Sequence, residues 1–133
     1  MSGPPVVLDT CVFRDKHFLY KLAKYRGDKI LPPVALSELT YHFLSKGKEE
    51  SEVHRLLRAA GIEQARMGPR EATAAARFGS SQGEWSRKWR DYMIGAHAEE
   101  APILLITHNI RDFTFIPRRV LAPPEFCDTY GLG

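Results

Sequence analysis

The run Pro5-Val6-Val7-Leu8-Asp9-Thr10-Cys11-Val12-Phe13 decides how the rest of the chain reads. Three apolar residues lead straight into a carboxylate and a hydroxyl, the pattern of a strand covered on both faces whose end opens on a site. In open α/β sheets ligand groups gather beyond the carboxyl ends of such strands, and Asp9 stands at that position. An aspartate after a strand also serves as a helix N-cap or turn residue. This stretch alone leaves the two roles level.

A second run of the same kind lies far downstream. Ile103-Leu104-Leu105-Ile106 is apolar and ends in Thr107-His108-Asn109-Ile110-Arg111-Asp112-Phe113, so again a buried strand delivers polar residues to its end. His108 has no second histidine at ligand spacing and reads as a hydrogen-bonding or surface residue. Between the two runs, Phe18, Leu19, Leu22 and Ala23 predict an amphipathic helix over Lys16 to Tyr25. Ile30-Leu31 before Pro32-Pro33 predicts a short strand, and a helix from about Val34 to Ser45 follows, proline being favoured in a first helical turn. Leu36, Leu39 and Phe43 form its inward stripe. Further helices are expected over Glu50 to Ala60, from Pro69 through Phe78, and over Glu84 to about Glu99. Ile62 to Met67 reads as an edge strand or a link, and Gly79-Ser80-Ser81-Gln82-Gly83 as a flexible loop. Val120-Leu121-Ala122 would be the last strand. This alternation argues for a parallel α/β sandwich in which the ends of the first and fourth strands converge.

Composition sets the outer limits. With 133 residues, 44% hydrophobic and 26% charged, the chain is expected to fold as one domain over residues 1–133. No apolar run approaches the roughly 20 residues of a membrane span, and Met1-Ser2-Gly3-Pro4-Pro5 lacks the basic start and apolar run of a signal peptide. A soluble cytoplasmic protein without membrane attachment is expected. Cys11 and Cys127, far apart, make neither a metal ligand set nor a disulfide scaffold and read as buried thiols. A formal charge of +3 is too small to announce a nucleic-acid partner by itself. The bases do cluster, at Lys46/Lys48, Arg66/Arg70, Arg87/Lys88/Arg90 and Arg118/Arg119.

The acids carry more. Glu38 falls beside the inward stripe of its helix, and on the late helix Trp85, Trp89, Tyr92, Met93 and Ala96 trace an apolar stripe with Asp91, Gly95 and Ala98 adjoining it. Small neighbours let that helix lie close to the sheet and carry Asp91 inward. The plainer roles are a solvated glutamate for Glu38 and an Arg87–Asp91 helix pair of about 0.3–0.5 kcal/mol. Asp9, Glu38, Asp91 and Asp112 thus become candidates for one pocket. Carboxylates that close repel one another unless divalent cations join them, and oxygen-only donors favour magnesium or manganese over zinc. Such a site can activate water and stabilise the attacking and leaving oxygens of a phosphoryl displacement.

Taken in order, Val7-Leu8-Asp9-Thr10, Ser37-Glu38-Leu39, Asp91-Tyr92-Met93-Ile94-Gly95-Ala96-His97-Ala98 and Leu105-Ile106-Thr107-His108-Asn109-Ile110-Arg111-Asp112-Phe113 resemble the PIN-domain family of metal-dependent ribonucleases, which includes the toxins of VapBC-type toxin–antitoxin systems. The ending Val120-Leu121-Ala122-Pro123-Pro124-Glu125-Phe126 resembles the family's closing strand and turn. The resemblance implies a three-layer α/β/α sandwich with a central parallel sheet. It implies an endoribonuclease in which Asp9, Glu38 and Asp91 hold Mg2+ or Mn2+, with Thr10 and Thr107 in support. The chain departs from the pattern at the fourth acid. Many members carry an aspartate where Asn109 stands, and others rely on the acid before the phenylalanine, here Asp112; both positions stay open. The partners it implies are single-stranded or structured RNA, a small antitoxin protein and a second copy of the chain. Arg87, Lys88, Arg90, Lys46 and Lys48 are the candidates for gripping RNA phosphates.

Two other classes compete with this reading. Haloacid-dehalogenase phosphatases also place an aspartate after the first strand, but they need a second two positions later, where this chain has Cys11. The other rival is a weak or inactive PIN-like module that only binds RNA or protein. An idle cluster of acids would add nothing but repulsion to it, which argues against that rival.

Overall fold

The computed structural model describes residues 3–116 and 119–133. Its strands are β1 (Val6–Leu8), β2 (Lys29–Leu31), β3 (Ile62–Gln64), β4 (Leu104–Ile106) and β5 (Val120–Leu121). The helices are α1 (Lys16–Leu22), α2 (Pro33–Ser45), α3 (Glu50–Ala60), α4 (Pro69–Gln82), α5 (Trp85–Gly95) and α6 (Pro123–Thr129). Short 3₁₀ turns follow β1 at Thr10–Arg14, α5 at Ala96–Ala98 and β4 at Ile110–Phe113.

All strand pairs are parallel, in the order β3-β2-β1-β4-β5. The central strand is β1, and Val6, Val7 and Leu8 are each fully buried, which is why the run shows no alternation of polar and apolar residues. From β1 the chain winds outward through β2 to β3, then crosses back to lay β4 on the other side of β1. The carboxyl ends of β1 and β4 therefore flank the point where the strand order reverses, where α/β sheets open a crevice. Leu8 is in register with Ile106, so the residues that follow, Asp9 and Thr107, emerge side by side. Helices cover both faces, completing the three-layer α/β/α sandwich.

Local chemistry accounts for most boundaries. The Asp15 carboxylate caps α1 by accepting from the Phe18 amide at 3.0 Å. Proline occupies the first turns of α2, α4 and α6, where its missing amide proton is not needed. Gly61, at φ 70°, ends α3 in the left-handed conformation that favours glycine. On the far side of the core, Phe126 of α6 meets Phe18 and Tyr25 edge-on, with ring centroids 6.3 and 4.9 Å apart.

Two expectations are corrected. The Gly79–Gly83 segment, expected as a flexible loop, is the last turn and cap of α4. Gly79 is buried because the Trp85 ring lies against its backbone; an added Cβ would stand 2.4 Å from Trp85 Cε3. The glycine there serves close approach, not flexibility. The inward stripe of α5 is also shorter than expected. Tyr92 and Ala96 pack on Ala74 and Ala75 of α4, whereas Trp85 and Trp89 remain 43% and 45% exposed. Trp85 has one face covered, stacked on Tyr92 at 6.1 Å.

The small residues allow a close approach at Gly95, but to the segment after β4 and not to the sheet as expected. A Cβ there would meet Phe115 at 2.7 Å and Ile116 at 2.9 Å, so glycine lets α5 close on that segment. Among the described residues no helix is long and apolar enough to cross a membrane.

Candidate active site: an acid cluster closed on Arg90

Asp9 is completely buried and takes the N-cap role that its sequence position allowed. Extended backbone at φ −79°, ψ 151° makes it the N-cap of the 3₁₀ turn, with Oδ1 accepting from the Thr10 amide at 2.8 Å. Its other oxygen, Oδ2, accepts from Thr107 Oγ1 at 2.8 Å and from Cys11 Sγ at 3.3 Å. Thr107 Oγ1 in turn accepts from the Asn109 amide at 2.9 Å. The parallel register of β1 and β4 thus fixes the Asp9 carboxylate from both strand ends.

Glu38 comes from the second turn of α2 and is half-buried. Its Oε1 accepts from Thr10 Oγ1 at 2.6 Å, so Thr10 ties the helix carboxylate to the turn that Asp9 caps. Asp91 comes from α5 and is 9% exposed. Three elements distant in sequence therefore bring one carboxylate each to the same crevice.

At their centre lies the guanidinium of Arg90. Its Nη2 donates to Asp9 Oδ1 at 2.9 Å, its Nη1 to Asp91 Oδ1 at 2.7 Å, and its Nε to Glu38 Oε2. A planar fork of donors suits this task in a way that a lysine ammonium would not. Burial works against the charge on Arg90, but the Glu38 hydrogen bond and the charges of Asp9 and Glu38 outweigh it and hold the group cationic. One positive charge faces three carboxylates, so the cluster keeps an excess of negative charge. Asp91 registers the imbalance: burial pushes its carboxyl above the usual range, Arg90 opposes the shift, and the charges of Asp112 and Asp9 add to it. Burial, reinforced by Asp9, also pushes the Cys11 thiol up and keeps it a donor.

The two residues open at the fourth position are placed differently. Asp112 is exposed on the Ile110–Phe113 turn, close enough to Asp91 for its charge to be felt there. Asn109 uses its backbone to brace Thr107, and it borders a depression shared with Arg14, Asp15 and His108, which no acid of the cluster lines.

The bases divide as well. Arg87 is exposed, and Lys88 is half-buried with its ammonium 5.9 Å from the Phe115 ring centroid. Lys46 and Lys48 are exposed along a separate groove of about 760 Å3, with Phe13, Leu39, Phe43 and Leu56 in its walls and Thr10 among its lining. Arg90, grouped in the sequence with the phosphate-gripping bases, instead has its guanidinium directed into the acids. Asp91 takes Arg90 as its partner where an Arg87 pair was the plainer expectation, because Asp91 faces inward and Arg87 outward. Arg119 donates to the carbonyls of Ala98 and Glu99 at 2.8 and 2.7 Å; its neighbour in the expected basic pair, Arg118, lies outside the described residues.

Sequence reasoning did not find the Cys11 thiol on Asp9 or the partners of Arg90. The available signal was adjacency: a base directly before an inward-facing acid lies about 100° round the helix from it, within reach of acids on neighbouring elements.

The donor set suits a hard divalent cation, since every group is a carboxylate or hydroxyl oxygen and their charge is only partly offset. With the guanidinium standing between the acids, no three His, Cys, Asp or Glu side chains among the described residues are grouped closely enough to hold an ion as they stand. The spacing is that of a guanidinium complex, while the donors are hard oxygens of the kind divalent cations take.

Comparison with known proteins bears on the fold and the family. Solved structures share the fold, two of them as follows. One is VapBC-1 from nontypeable Haemophilus influenzae, at 14% identity and a TM-score of 0.70, covering 92% of this chain and 99% of the other. The second is VapBC2 from Rickettsia felis bound to a DNA fragment from their promoter, at 23% identity and a TM-score of 0.61, covering 90% and 98%. No curated protein matches the chain. A family profile described as PIN domain matches residues 6–116, a span that runs from β1 past the turn after β4 and includes Asp9, Glu38, Asp91 and Asp112. The chain belongs to the PIN-domain family.

Proposed function

We propose that the protein is a metal-dependent endoribonuclease of the cytoplasm, the toxin of a toxin–antitoxin pair, hydrolysing RNA phosphodiester bonds at the acid cluster. The observation that carries this reading is the gathering of Asp9, Glu38 and Asp91, from three separate elements, on one cationic group. Asp9, Glu38 and Asp91 would hold Mg2+ or Mn2+, with Asp112 favoured over Asn109 as the fourth acid because its charge already acts on Asp91. The bound ion supplies Lewis acidity and the positive charge that an in-line displacement at phosphorus needs. The chain's own residues do the rest. Thr107 and Cys11 fix the rotamer of Asp9 by donating to Oδ2, which leaves Oδ1 aimed into the crevice. Thr10 orients Glu38. Arg87 and Lys88, one turn before Asp91 on α5, attract the RNA backbone beside the acids, and Lys46 and Lys48 extend that field along α2.

The groove along α2 supports a second part of the proposal. Its apolar walls and basic rim suit an amphipathic acidic segment, the chemistry expected of an inhibitory antitoxin. Because the groove reaches Thr10, such a partner would lie next to the acid cluster. Two solved neighbours of the same fold are VapBC proteins.

The test is cleavage of single-stranded RNA by the purified chain. The expected outcome is cutting that requires magnesium or manganese, stops on chelation, and leaves 5′-phosphate and 3′-hydroxyl ends. A second reading, a PIN-like module that binds without cutting, gains one point from the structure: Arg90 offsets part of the repulsion that an idle cluster would suffer. RNA binding without cleavage in either metal would favour that module.

A further inference from the structure

We propose that Arg90 is a resident counter-ion which a divalent cation must displace, so that this residue sets the metal concentration at which the site loads. The inference rests on the reading that Asp9, Glu38 and Asp91 hold the ion. The oxygens that face the centre of the crevice are Asp9 Oδ1, Glu38 Oε2 and Asp91 Oδ1, and each already accepts from a different nitrogen of Arg90. An ion and the guanidinium therefore compete for the same three oxygens and cannot hold them together.

The exchange has a driving force and a route. One positive charge among three carboxylates leaves an excess that a doubly charged ion offsets better, while three charge-assisted hydrogen bonds hold the guanidinium in place. The Arg90 side chain is 32% exposed, so it is not locked in the interior. It also borders a cleft of about 350 Å3 lined by Pro33, Val34, Ser37, Glu38 and Trp89. The half-exposed Trp89 indole offers a displaced guanidinium an aromatic surface. There Arg90 would stand beside the loaded site, a competitor for the ion only while the site is empty.

A ligand that binds only the fraction of molecules with the site free has its affinity reduced by that fraction. If the guanidinium occupies the acids nine times in ten or more, removing it tightens metal binding about tenfold or more. The experiment is calorimetric titration of Mn2+ into the purified wild type, Arg90→Gln, Arg90→Lys and Asp9→Asn. Arg90→Gln is expected to bind Mn2+ at least about tenfold more tightly than wild type, with Arg90→Lys, which keeps the charge but loses the fork, between the two. Equal or weaker binding in Arg90→Gln overturns the proposal, and if that variant does not fold, unchanged affinity in Arg90→Lys does so. Asp9→Asn separates the layers of the argument. Loss of binding there alongside no effect at Arg90 leaves the metal site standing and removes only the competition. Undiminished binding in Asp9→Asn removes the site, and this proposal with it.

Discussion

A cation stands at each end of the central sheet, half-buried at one and buried at the other, and the two are handled differently. At the carboxyl end Arg90 meets three carboxylates from three elements. At the amino end Lys29, the first residue of β2 and only 6% exposed, has its ammonium on a single acceptor among the described residues, the Leu22 carbonyl at 3.1 Å. Burial pushes the Lys29 ammonium down, while the acids around Arg90 hold that group charged. A buried cation that merely completes a fold needs one or two acceptors, and Lys29 has about that. The Arg90 end is supplied with far more negative charge than one guanidinium can use, and excess charge gathered at the switch point of a sheet is costly unless a stronger cation replaces the weaker one. On the proposed reading, the contrast separates a structural burial from a site where one cation replaces another.

The comparison breaks first on activity. Glu38→Gln and Asp91→Asn should each reduce RNA cleavage by about 10²–10³-fold, the scale of losing one group that stabilises developing charge, whereas Lys29→Met should leave it within a factor of two or three of wild type. Equal losses at both ends would mean that the variants report folding and not chemistry. Thr107→Val comes next. It keeps the shape but removes the hydroxyl that joins Asp9 to the Asn109 amide, leaving buried acceptor capacity unmet. A stability loss of about 1–2 kcal/mol by denaturant titration is expected, together with a cleavage rate lowered about tenfold because Asp9 is no longer held.

Stability sharpens the contrast from the other end. Lys29→Met should raise the melting temperature at pH 7, by about 2–4 °C for each kcal/mol of burial penalty removed. The sign with pH follows from the lowered proton affinity. Between the folded value and the ordinary 10.5 the unfolded chain holds more protons than the native one, so wild-type stability rises with pH across that window. The advantage of Lys29→Met should therefore narrow as pH approaches 10.5. An advantage that widened with pH would mean that Lys29 is stabilised by its carbonyl and not penalised by burial. The smallest effect concerns RNA. Arg87→Gln should lower the salt dependence of binding by about 0.7 in slope, one phosphate on a single strand. Arg90→Gln in the metal-free protein should lower it by less, because that guanidinium is already paired with acids.

What the sequence disclosed and what it withheld divide along physical lines. The runs Val6-Val7-Leu8 and Leu104-Leu105-Ile106 were readable because strands buried on both faces permit nothing polar, and the acids after them were readable because sheet topology dictates where strand ends lead. Asp91 could be placed inward by the small residues beside it, although Gly95 meets Phe115 and Ile116 and not a strand. Arg90 could not, since a base in an Arg-Lys-Trp-Arg run has the composition of a solvated helix face and its partners lie on β1 and α2. The exposure of Trp85 and Trp89 was equally hidden, because periodicity says which side of a helix is apolar but not how far along it the neighbouring helix extends. The Gly79–Gly83 segment misled for the opposite reason: glycine and serine that mark loops also mark places where an indole must lie on backbone.

The claim at the centre of this account is that Asp9, Glu38 and Asp91 form a metal-dependent catalytic site. It is tested most directly by following cleavage of one single-stranded RNA by purified wild type and Asp9→Asn, each with Mn2+, with Mg2+ and with chelator, after both are shown to be folded by circular dichroism. Cutting by wild type is expected in at least one of the two metals and none with chelator, with a loss of about 10²-fold or more in Asp9→Asn in each metal that supports cutting. Cleavage that survives chelation, or an Asp9→Asn protein that cuts as fast as wild type, would contradict it.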